Sequence, residues 1–206
     1  MILCDIGNTN IHFYQDGIVW KKIANFKNIA LIEEEFYYIN VNEKLDAYLL
    51  KSDKAVDISS FFDLDTVYEG LGIDRLAACK AVENGMIVDA GSAITVDIVT
   101  NGIHLGGYIM PGLFTQQKSF SEISTKLDIR LNPNIDLELL PQNSAEALSY
   151  GVIKPILLML QESKRDKKIY FTGGDGKFFA KFFKDSIYDD SLVFKGMLKV
   201  IQEKNL

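Results

Sequence analysis

The sequence predicts an α/β protein of two lobes, because one pattern of strands and turns occurs twice along the chain. Residues 1–9 and residues 86–93 each contain an apolar run, then Asp-x-Gly, then a small polar residue. Each copy continues into a second extended stretch, a turn signal (Asp16-Gly17 or Asn101-Gly102) and a third extended stretch. Asp-Gly and Asn-Gly between apolar runs favour tight antiparallel hairpins. We therefore expect one β-meander in each half of the chain.

The stretch between the first meander and residue 66 contains weaker signals. Residues 36–41 predict a strand. Residues 47–50 and 55–58 are compatible with short strands or with helix ends, and both alternatives stay open. The apolar side chains that follow predict a contribution to the core: Phe61, Phe62 and Leu64.

A helix is predicted from residue 73, because apolar side chains recur over residues 73–81 at the spacing of one helix face. Asn84-Gly85 ends this helix and marks the predicted boundary between the lobes. The lobes then span residues 1–84 and 85–206, with a cleft between the two Asp-x-Gly turns. The final helix of the chain is free in this scheme to pack back on the first lobe.

The second half continues with further helices and one more strand. After the meander, residues 113–120 predict a helix, and Asn143 with Glu146 has the spacing of a capping box that opens a long amphipathic helix. Pro155 should kink or break that helix. Residues 169–171 predict a buried strand before a glycine-rich loop. The chain ends with a last helix near residues 191–204, preceded by a short helix lined on one side by four aromatic residues: Phe178, Phe179, Phe182 and Phe183.

The composition limits the classes of function. With 206 residues, 48% of them hydrophobic and 24% charged, the chain is typical of globular proteins. A net charge of −6 argues against a nucleic-acid partner, and no apolar run is long enough for a membrane span. The amino terminus enters a strand directly, with no leader-like segment, so we expect a cytoplasmic protein. Cys4 and Cys79 are expected in the core, and two histidines are too few for a usual transition-metal site.

The two Asp-x-Gly turns are candidate phosphate sites. Backbone N–H groups on such a turn can bind phosphate, and the carboxylate beside them can bind a cation. In the first copy, Gly7 permits positive φ and close approach, while Asn8 and Thr9 supply donors. An ordinary polar hairpin would have a similar composition. The second copy, which begins at Asp89, favours the phosphate site, because a plain hairpin need not repeat with the same preceding run.

Two further motifs have both a functional and a structural interpretation. Asp74 and Arg75 form an acid–base pair at a helix start, where Asp74 could accept a proton from an attacking hydroxyl and Arg75 could bind an anion. Alternatively, Asp74 is a helix cap and Arg75 its surface partner. Gly173-Gly174 could let the backbone pass close to a nucleotide base or ribose, or it could simply end a strand.

Four motifs in order resemble those of type III pantothenate kinase, and the resemblance spans nearly the whole chain. They are Asp-x-Gly-Asn-Thr at 5–9, Gly-x-Asp-Arg at 72–75, Asp-Ala-Gly-Ser-Ala at 89–93 and Gly-Gly-Tyr-Ile-Met-Pro-Gly at 106–112. The resemblance implies the actin-like ATPase fold: two ribonuclease-H-like lobes, each with a mixed sheet flanked by helices. It also implies ATP-dependent phosphorylation of pantothenate to 4'-phosphopantothenate, the first step of coenzyme A biosynthesis.

The resemblance assigns roles to individual residues. Asp74 would be the general base, Asp5 would lie near Mg²⁺, and Asp89 would bind a monovalent cation, K⁺ or NH₄⁺. The residues implied in ATP binding are Asp5, Ile6, Gly7, Asn8, Thr9, Asn10, Ile11, His12 and Ser92. Those implied in pantothenate binding are Tyr68, Gly72, Ile73, Asp74, Arg75 and Ser144. Members of the family form homodimers, so a second copy is the expected protein partner.

Two other functions remain open. One is a different small-molecule kinase or a phosphohydrolase of the same fold, such as a sugar or acetate kinase or an exopolyphosphatase. The other is a nucleotide-binding regulator without catalysis. Gly72-Ile73-Asp74-Arg75 ahead of the second turn favours pantothenate kinase over the first, and the intact acidic motif positions argue against the second.

Overall fold

The computed structural model describes residues 1–206, which form two compact units. Unit 1 contains Met1–Asn84, Asp97–Gly106 and Asp189–Leu206, and unit 2 contains Gly85–Val96 and Gly107–Tyr188. No helix combines the length and the hydrophobicity that crossing a membrane requires.

The first sheet begins with the predicted meander. Strands β1 (Ile2–Ile6), β2 (Asn10–Gln15) and β3 (Ile18–Ile23) pair antiparallel in sequence order. Positive φ at Asp16 and Gly17, 52° and 86°, gives the tight turn between β2 and β3. Strands β4 (Phe36–Asn40) and β5 (Ala55–Asp57) then add in parallel on the other side of β1, so the order is β3-β2-β1-β4-β5. The meander and the strand predicted at 36–41 are confirmed.

Short helices fill the connections of this sheet and decide the open alternatives. Helix α1 spans Phe26–Ala30 and α2 spans Asp46–Leu49, so the 47–50 stretch is helical, whereas 55–58 supplies β5. Short 3-10 turns occupy Glu43–Leu45 and Ser59–Phe61. The core prediction for Phe61, Phe62 and Leu64 is wrong, because all three are only partly buried beside these irregular connections.

The second sheet repeats the topology of the first. Its strands are β6 (Gly85–Ala90), β7 (Ala93–Thr100), β8 (Ile103–Pro111), β9 (Ile169–Thr172) and β10 (Ile187–Tyr188). The order β8-β7-β6-β9-β10 corresponds to β3-β2-β1-β4-β5, and β9 is parallel to both β6 and β10. Positive φ at Asn101 and Gly102 again marks the tight turn. The repeat detected in the motifs is therefore a repeat of the whole sheet.

Helices α4 (Leu113–Ile123), α5 (Ser144–Lys164) and α6 (Gly176–Ala180) belong to unit 2, with a 3-10 turn at Thr125–Leu127. The Asn143 side chain accepts a hydrogen bond from the Glu146 N–H at 3.0 Å, as the capping box predicts. Helix α5 continues through Pro155, so the alternative of a break is wrong, and the alternative of a kink stays a prediction. The four phenylalanines do not share one side of a helix, because α6 ends at Ala180, and Phe179 is buried while Phe182 is 43% exposed.

Helix α3 (Ile73–Lys80) packs closely on the last helix, α7 (Leu192–Lys204), within unit 1. The contact depends on Gly196, since a Cβ built at this position would lie 1.9 Å from the carbonyl oxygen of Ala77. The absence of a side chain at Gly196 is therefore what lets the two helix backbones approach.

We expect Gly196→Ala to lower the free energy of unfolding by about 2 kcal/mol, because the added methyl group forces α3 and α7 apart. Gly151→Ala is the matched control, because Gly151 lies in α5 with open space around its Cβ position. That control should be neutral or stabilising by about 0.5–1 kcal/mol. Urea unfolding of both variants provides the comparison, and equal losses would contradict the packing argument.

Candidate active site

The first Asp-x-Gly turn connects β1 to β2 through Gly7, Asn8 and Thr9. The Gly7 N–H donates to the Asn10 carbonyl at 3.0 Å, and the Asn42 side chain donates to the Gly7 carbonyl at 3.2 Å. Gly7 does not adopt positive φ, contrary to expectation. Its advantage is steric instead, because a Cβ there would lie 3.1 Å from the Asn10 carbonyl oxygen.

The residues around this turn that are predicted to bind ATP differ in their solvent exposure. Asn8 and Thr9 are exposed, and Asn10 and His12 are partly buried. Ile6 and Ile11 are fully buried, so neither residue exposes a group to a ligand, and their predicted contact with ATP stays a prediction. Asp5 pairs with His12 across the ladder, with 3.6 Å between Asp5 Oδ2 and His12 Nδ1.

Asp74 is the second residue of α3, and it is not the helix cap. The N-cap is Gly72, and a Cβ there would lie 2.6 Å from Asp74 Oδ1. The carboxylate accepts a hydrogen bond from the Arg75 N–H at 2.8 Å. Burial raises the pKa of Asp74, and the nearby negative charge of Asp5 raises it further. The two acids of separate motifs thus lie close enough to interact.

Arg75 is buried and pairs with Asp97, so the alternative of a surface partner for Asp74 is wrong. Its Nε and Nη2 donate to the two carboxylate oxygens of Asp97 at 2.9 and 2.7 Å. Nη1 donates to the Tyr68 hydroxyl at 3.2 Å. Burial disfavours the guanidinium charge, but the hydrogen bonds to Asp97 and Tyr68 outweigh it and raise the pKa of Arg75.

The sequence patterns did not predict the site role of three polar residues near Arg75, which are Thr66, Asp97 and His104. Asp97 lies within β7, His104 lies at the start of β8, and both are 1% exposed. His104 contacts Asp97 through Nε2 and Thr66 through Nδ1, each at 2.8 Å. A charged residue inside the apolar alternation of β7 was the available signal, because such a residue needs a buried partner.

The second Asp-x-Gly turn joins β6 to β7 and is held by the loop after β8. The Gly91 N–H donates to the Ala93 carbonyl at 2.9 Å. The Ser92 carbonyl accepts from the Gly112 N–H at 3.0 Å and from the Thr115 hydroxyl at 2.6 Å. A Cβ on Gly112 would lie 2.0 Å from the Gly91 carbonyl oxygen, so this contact requires glycine.

The glycine loop after β9 packs against the same turn. Gly173 has φ +79°, and a Cβ there would lie 2.3 Å from Asp89 Oδ1 and 2.6 Å from the Ala90 carbonyl oxygen. The Asp175 N–H donates to that carbonyl at 2.9 Å. The loop continues into the wall of a cavity of about 900 Å³ that Asp175 and Phe178 help to line. Its predicted approach to a nucleotide base or ribose stays a prediction.

The predicted residues therefore fall into two groups. In unit 1 the structure brings together Asp5, Asp74, Arg75 and Tyr68. In unit 2 it brings together Asp89, Ser92 and Gly173, while Ser144 is exposed at the first turn of α5. That both turns hold one nucleotide stays a prediction.

The acidic residues fit hard cations better than transition metals. Asp5 and Asp74 are neighbouring oxygen donors whose mutual repulsion a divalent cation would relieve, which suits Mg²⁺. Cys79, Asp97 and His104 also approach one another within 4.8 Å. However, Asp97 and both imidazole nitrogens of His104 are already hydrogen-bonded, so this group is a structural contact and not a metal site.

Comparison with known proteins places this chain in one family. A sequence model of type III pantothenate kinase matches residues 64–165. The type III pantothenate kinase of Helicobacter hepaticus is 50% identical over 99% of this chain and 100% of its own length. That of Wolinella succinogenes is also 50% identical, over 98% of this chain and 97% of its own.

Solved structures agree on the fold. A crystal structure from Campylobacter jejuni, described as a Baf family transcriptional activator, is 44% identical with a TM-score of 0.92, and the match covers 100% of both chains. A 2-dehydro-3-deoxygalactonokinase protein from Sinorhizobium meliloti has a TM-score of 0.56 at 7% identity, over 98% of this chain and 96% of that one. This second likeness concerns the fold alone.

The doubled mixed sheet with an acidic glycine turn in each unit defines a protein of the actin-like ATPase and sugar-kinase fold, as the sequence analysis predicted. Within that class, the full-length identities are decisive. The chain belongs to the type III pantothenate kinase family.

We expect Gly173→Ala to lower the free energy of unfolding by about 2 kcal/mol, because the methyl group would strain the backbone and meet Asp89 and Ala90. Gly174→Ala is the control, since its Cβ position has open space and its φ is not positive. Thermal unfolding compares the two variants. A Gly174→Ala loss as large as that of Gly173→Ala would remove the steric explanation.

Proposed function

We propose that this protein transfers the γ-phosphoryl group of ATP to the hydroxyl of pantothenate, with Asp74 as the general base. The observation that carries the proposal is the position of Asp74, held at the start of α3 and interacting with Asp5. The full-length similarity to type III pantothenate kinases supports the reaction and the substrate. The product is 4'-phosphopantothenate, and the reaction is the first step of coenzyme A biosynthesis.

The chemistry requires one new O–P bond and one proton transfer. The pantothenate hydroxyl oxygen attacks the γ-phosphorus, the bond to the ADP oxygen breaks, and the hydroxyl proton passes to the Asp74 carboxylate. An aspartate is ordinarily a weak base toward an alcohol, but burial raises the pKa of Asp74 and makes it a better proton acceptor. Positioning and charge neutralisation supply most of the rate in phosphoryl transfer, so a late proton transfer suffices.

The first turn would hold the ATP phosphates through its backbone N–H groups and through Asn8 and Thr9, which it exposes. Asp5 would hold Mg²⁺, which neutralises phosphate charge when bound. In unit 2, Ser92 would contact ATP. Asp89 would bind the monovalent cation, because its carboxylate lies against the Gly173 loop near the Ala90 carbonyl oxygen, and hard cations prefer such oxygen ligands.

Pantothenate would contact Tyr68, Gly72, Ile73 and Arg75 around the start of α3, and Ser144 is a further proposed contact. Two N–H groups of Arg75 are not used by Asp97 or Tyr68 and could bind a polar group of the substrate. Apolar side chains exposed on β8 and α4 support a homodimer: Ile109, Phe114 and Ile123. The proposed location is the cytoplasm.

A transcriptional activator is the competing function suggested by the description of the Campylobacter jejuni structure. The net charge of −6 argues against DNA as a partner, since DNA binding depends on neutralising phosphates with Lys and Arg. Sugar or acetate kinase activity is the alternative on the same fold.

A coupled assay of ADP release with ATP, Mg²⁺ and K⁺ tests the proposal directly. ADP release should depend on pantothenate, and glucose or acetate in its place should give only the background rate. ADP release that ignores pantothenate, or that follows another acceptor in the panel, would overturn the proposed function.

Asp74→Asn should lower kcat by about 10²–10⁴-fold, because the amide cannot accept the proton. ATP affinity, measured by calorimetry, should stay within about twofold, since Asp74 is not proposed to bind phosphate. Glu69→Gln is a charge-matched control, because Glu69 is an exposed acid five residues away. Turnover near the wild-type value in Asp74→Asn would remove Asp74 from the role of base.

Asp89→Asn should raise the K⁺ concentration needed for half-maximal activity by about tenfold, because the cation loses a charged ligand. Asp166→Asn removes the same charge from an exposed position in unit 2 and should leave the K⁺ dependence unchanged. Activity measured over a K⁺ titration distinguishes the two variants. An unchanged K⁺ dependence in Asp89→Asn would place the cation elsewhere.

A further inference from the structure

Five residues of unit 1 form a closed ring of hydrogen bonds next to the start of α3. Thr66 contacts His104, His104 contacts Asp97, Asp97 accepts from Arg75, and Arg75 donates to Tyr68. The Tyr68 N–H closes the ring by donating to the Thr66 hydroxyl oxygen at 3.0 Å. The roles proposed above use only Tyr68 and Arg75 from this ring.

All the hydrogen bonds of the ring can form at the same time, each between a donor and an acceptor. With a hydrogen on Nε2, the His104 ring donates to Asp97, and Nδ1 is then the acceptor for the Thr66 hydroxyl hydrogen. Thr66 still has a lone pair for the Tyr68 N–H. Because the groups at its centre are almost fully buried, any change of partner would leave a desolvated polar atom, so the ring favours one arrangement.

Tyr68 depends on this ring because its hydrogen bonds and its aromatic contacts are with other members of the ring. It lies in the irregular stretch between the Ser59–Phe61 turn and α3, where the neighbouring Val67 is 93% exposed. The only sheet contact of this stretch is an isolated bridge between Thr66 and His104. The Tyr68 ring also lies over the Arg75 guanidinium, 4.8 Å from Cζ to the ring centroid.

The same ring fixes the catalytic end of α3. Arg75 directly follows Asp74 and donates its backbone N–H to the Asp74 carboxylate at 2.8 Å. The Asp97 carboxylate accepts two parallel hydrogen bonds from the Arg75 guanidinium, and this geometry restricts rotation of the guanidinium group. A shift of His104 or Thr66 would therefore move Tyr68 directly, and it would move Arg75 through Asp97.

We propose that Thr66, Asp97 and His104 are positioning residues that orient Tyr68 and Arg75 for pantothenate. This inference rests on the proposed function of the same site. In this inference the ring determines the affinity for pantothenate, because it holds the residues that contact pantothenate in place. The ATP phosphates are proposed to bind elsewhere in unit 1, at the first Asp-x-Gly turn. Breaking the ring at Thr66 or His104 should raise the KM for pantothenate and leave the KM for ATP unchanged.

Thr66→Val and His104→Phe test the proposal, because both remove the Thr66–His104 link and keep both hydrogen bonds between Arg75 and Asp97. Each variant also loses one further bond of the ring: Thr66→Val loses the bond from the Tyr68 N–H, and His104→Phe loses the bond to Asp97. Asp97 itself is unsuitable, since its loss would strand the buried charge of Arg75 and unfold the protein. We expect each variant to raise the pantothenate KM about tenfold, with kcat and the ATP KM within about twofold. Thr66→Ser keeps the hydroxyl and should restore the wild-type KM.

The double variant Thr66→Val/His104→Phe sharpens the test. If both changes act by opening one ring, the double variant should raise the pantothenate KM by clearly less than the product of the single effects, whereas independent effects would multiply to about a hundredfold. An unchanged pantothenate KM, a multiplied effect, or an equal rise in both KM values with a lower melting temperature would overturn the inference. The wild-type assay distinguishes failure of the proposed function from failure of the inference about the ring. Wild-type protein without pantothenate kinase activity refutes the proposed function. Active wild-type protein with single variants of normal KM refutes only the positioning role of the ring.

Discussion

The buried ion pair between Arg75 and Asp97 is the interaction on which the arrangement of unit 1 depends. Both side chains are almost fully removed from water, so each charge needs the other, and the loss of one partner would cost about 3–5 kcal/mol. The pair joins α3, which carries Asp74 in its first turn, to strand β7 of the second meander. His104 forms a further hydrogen bond with Asp97 and the Tyr68 hydroxyl accepts one from Arg75, which extends the constraint to an otherwise irregular segment.

The second constraint is the close approach of backbones at glycine. Gly112 and Gly173 both pack onto the turn that carries Asp89, and in each case a Cβ would overlap backbone atoms of that turn. The turn is thus fixed from two sides by segments distant in sequence. The first turn lacks such glycine contacts and is held by Asn42 from the strand-to-helix connection. Two copies of one motif are therefore supported in different ways.

Several features were predictable because their causes are local. The tight turns at Asp16-Gly17 and Asn101-Gly102 follow from residues that tolerate positive φ, and the cap at Asn143 follows from its spacing to Glu146. The repeated motif likewise predicted two matching meanders. Local patterns were insufficient for Phe182, which is exposed although its neighbour Phe183 is buried. They also left open whether Pro155 breaks α5, which continues past it.

The sequence by itself determined the fold class, the family and the identity of the acidic residues, because these depend on motifs whose spacing is short and ordered. Only the tertiary structure decided the partners of those residues. It paired Arg75 with Asp97 rather than Asp74, brought His104 and Thr66 beside them, and packed Gly173 on Asp89. Such contacts join segments tens of residues apart, and the burial that makes them strong arises only when the sheets and helices pack together.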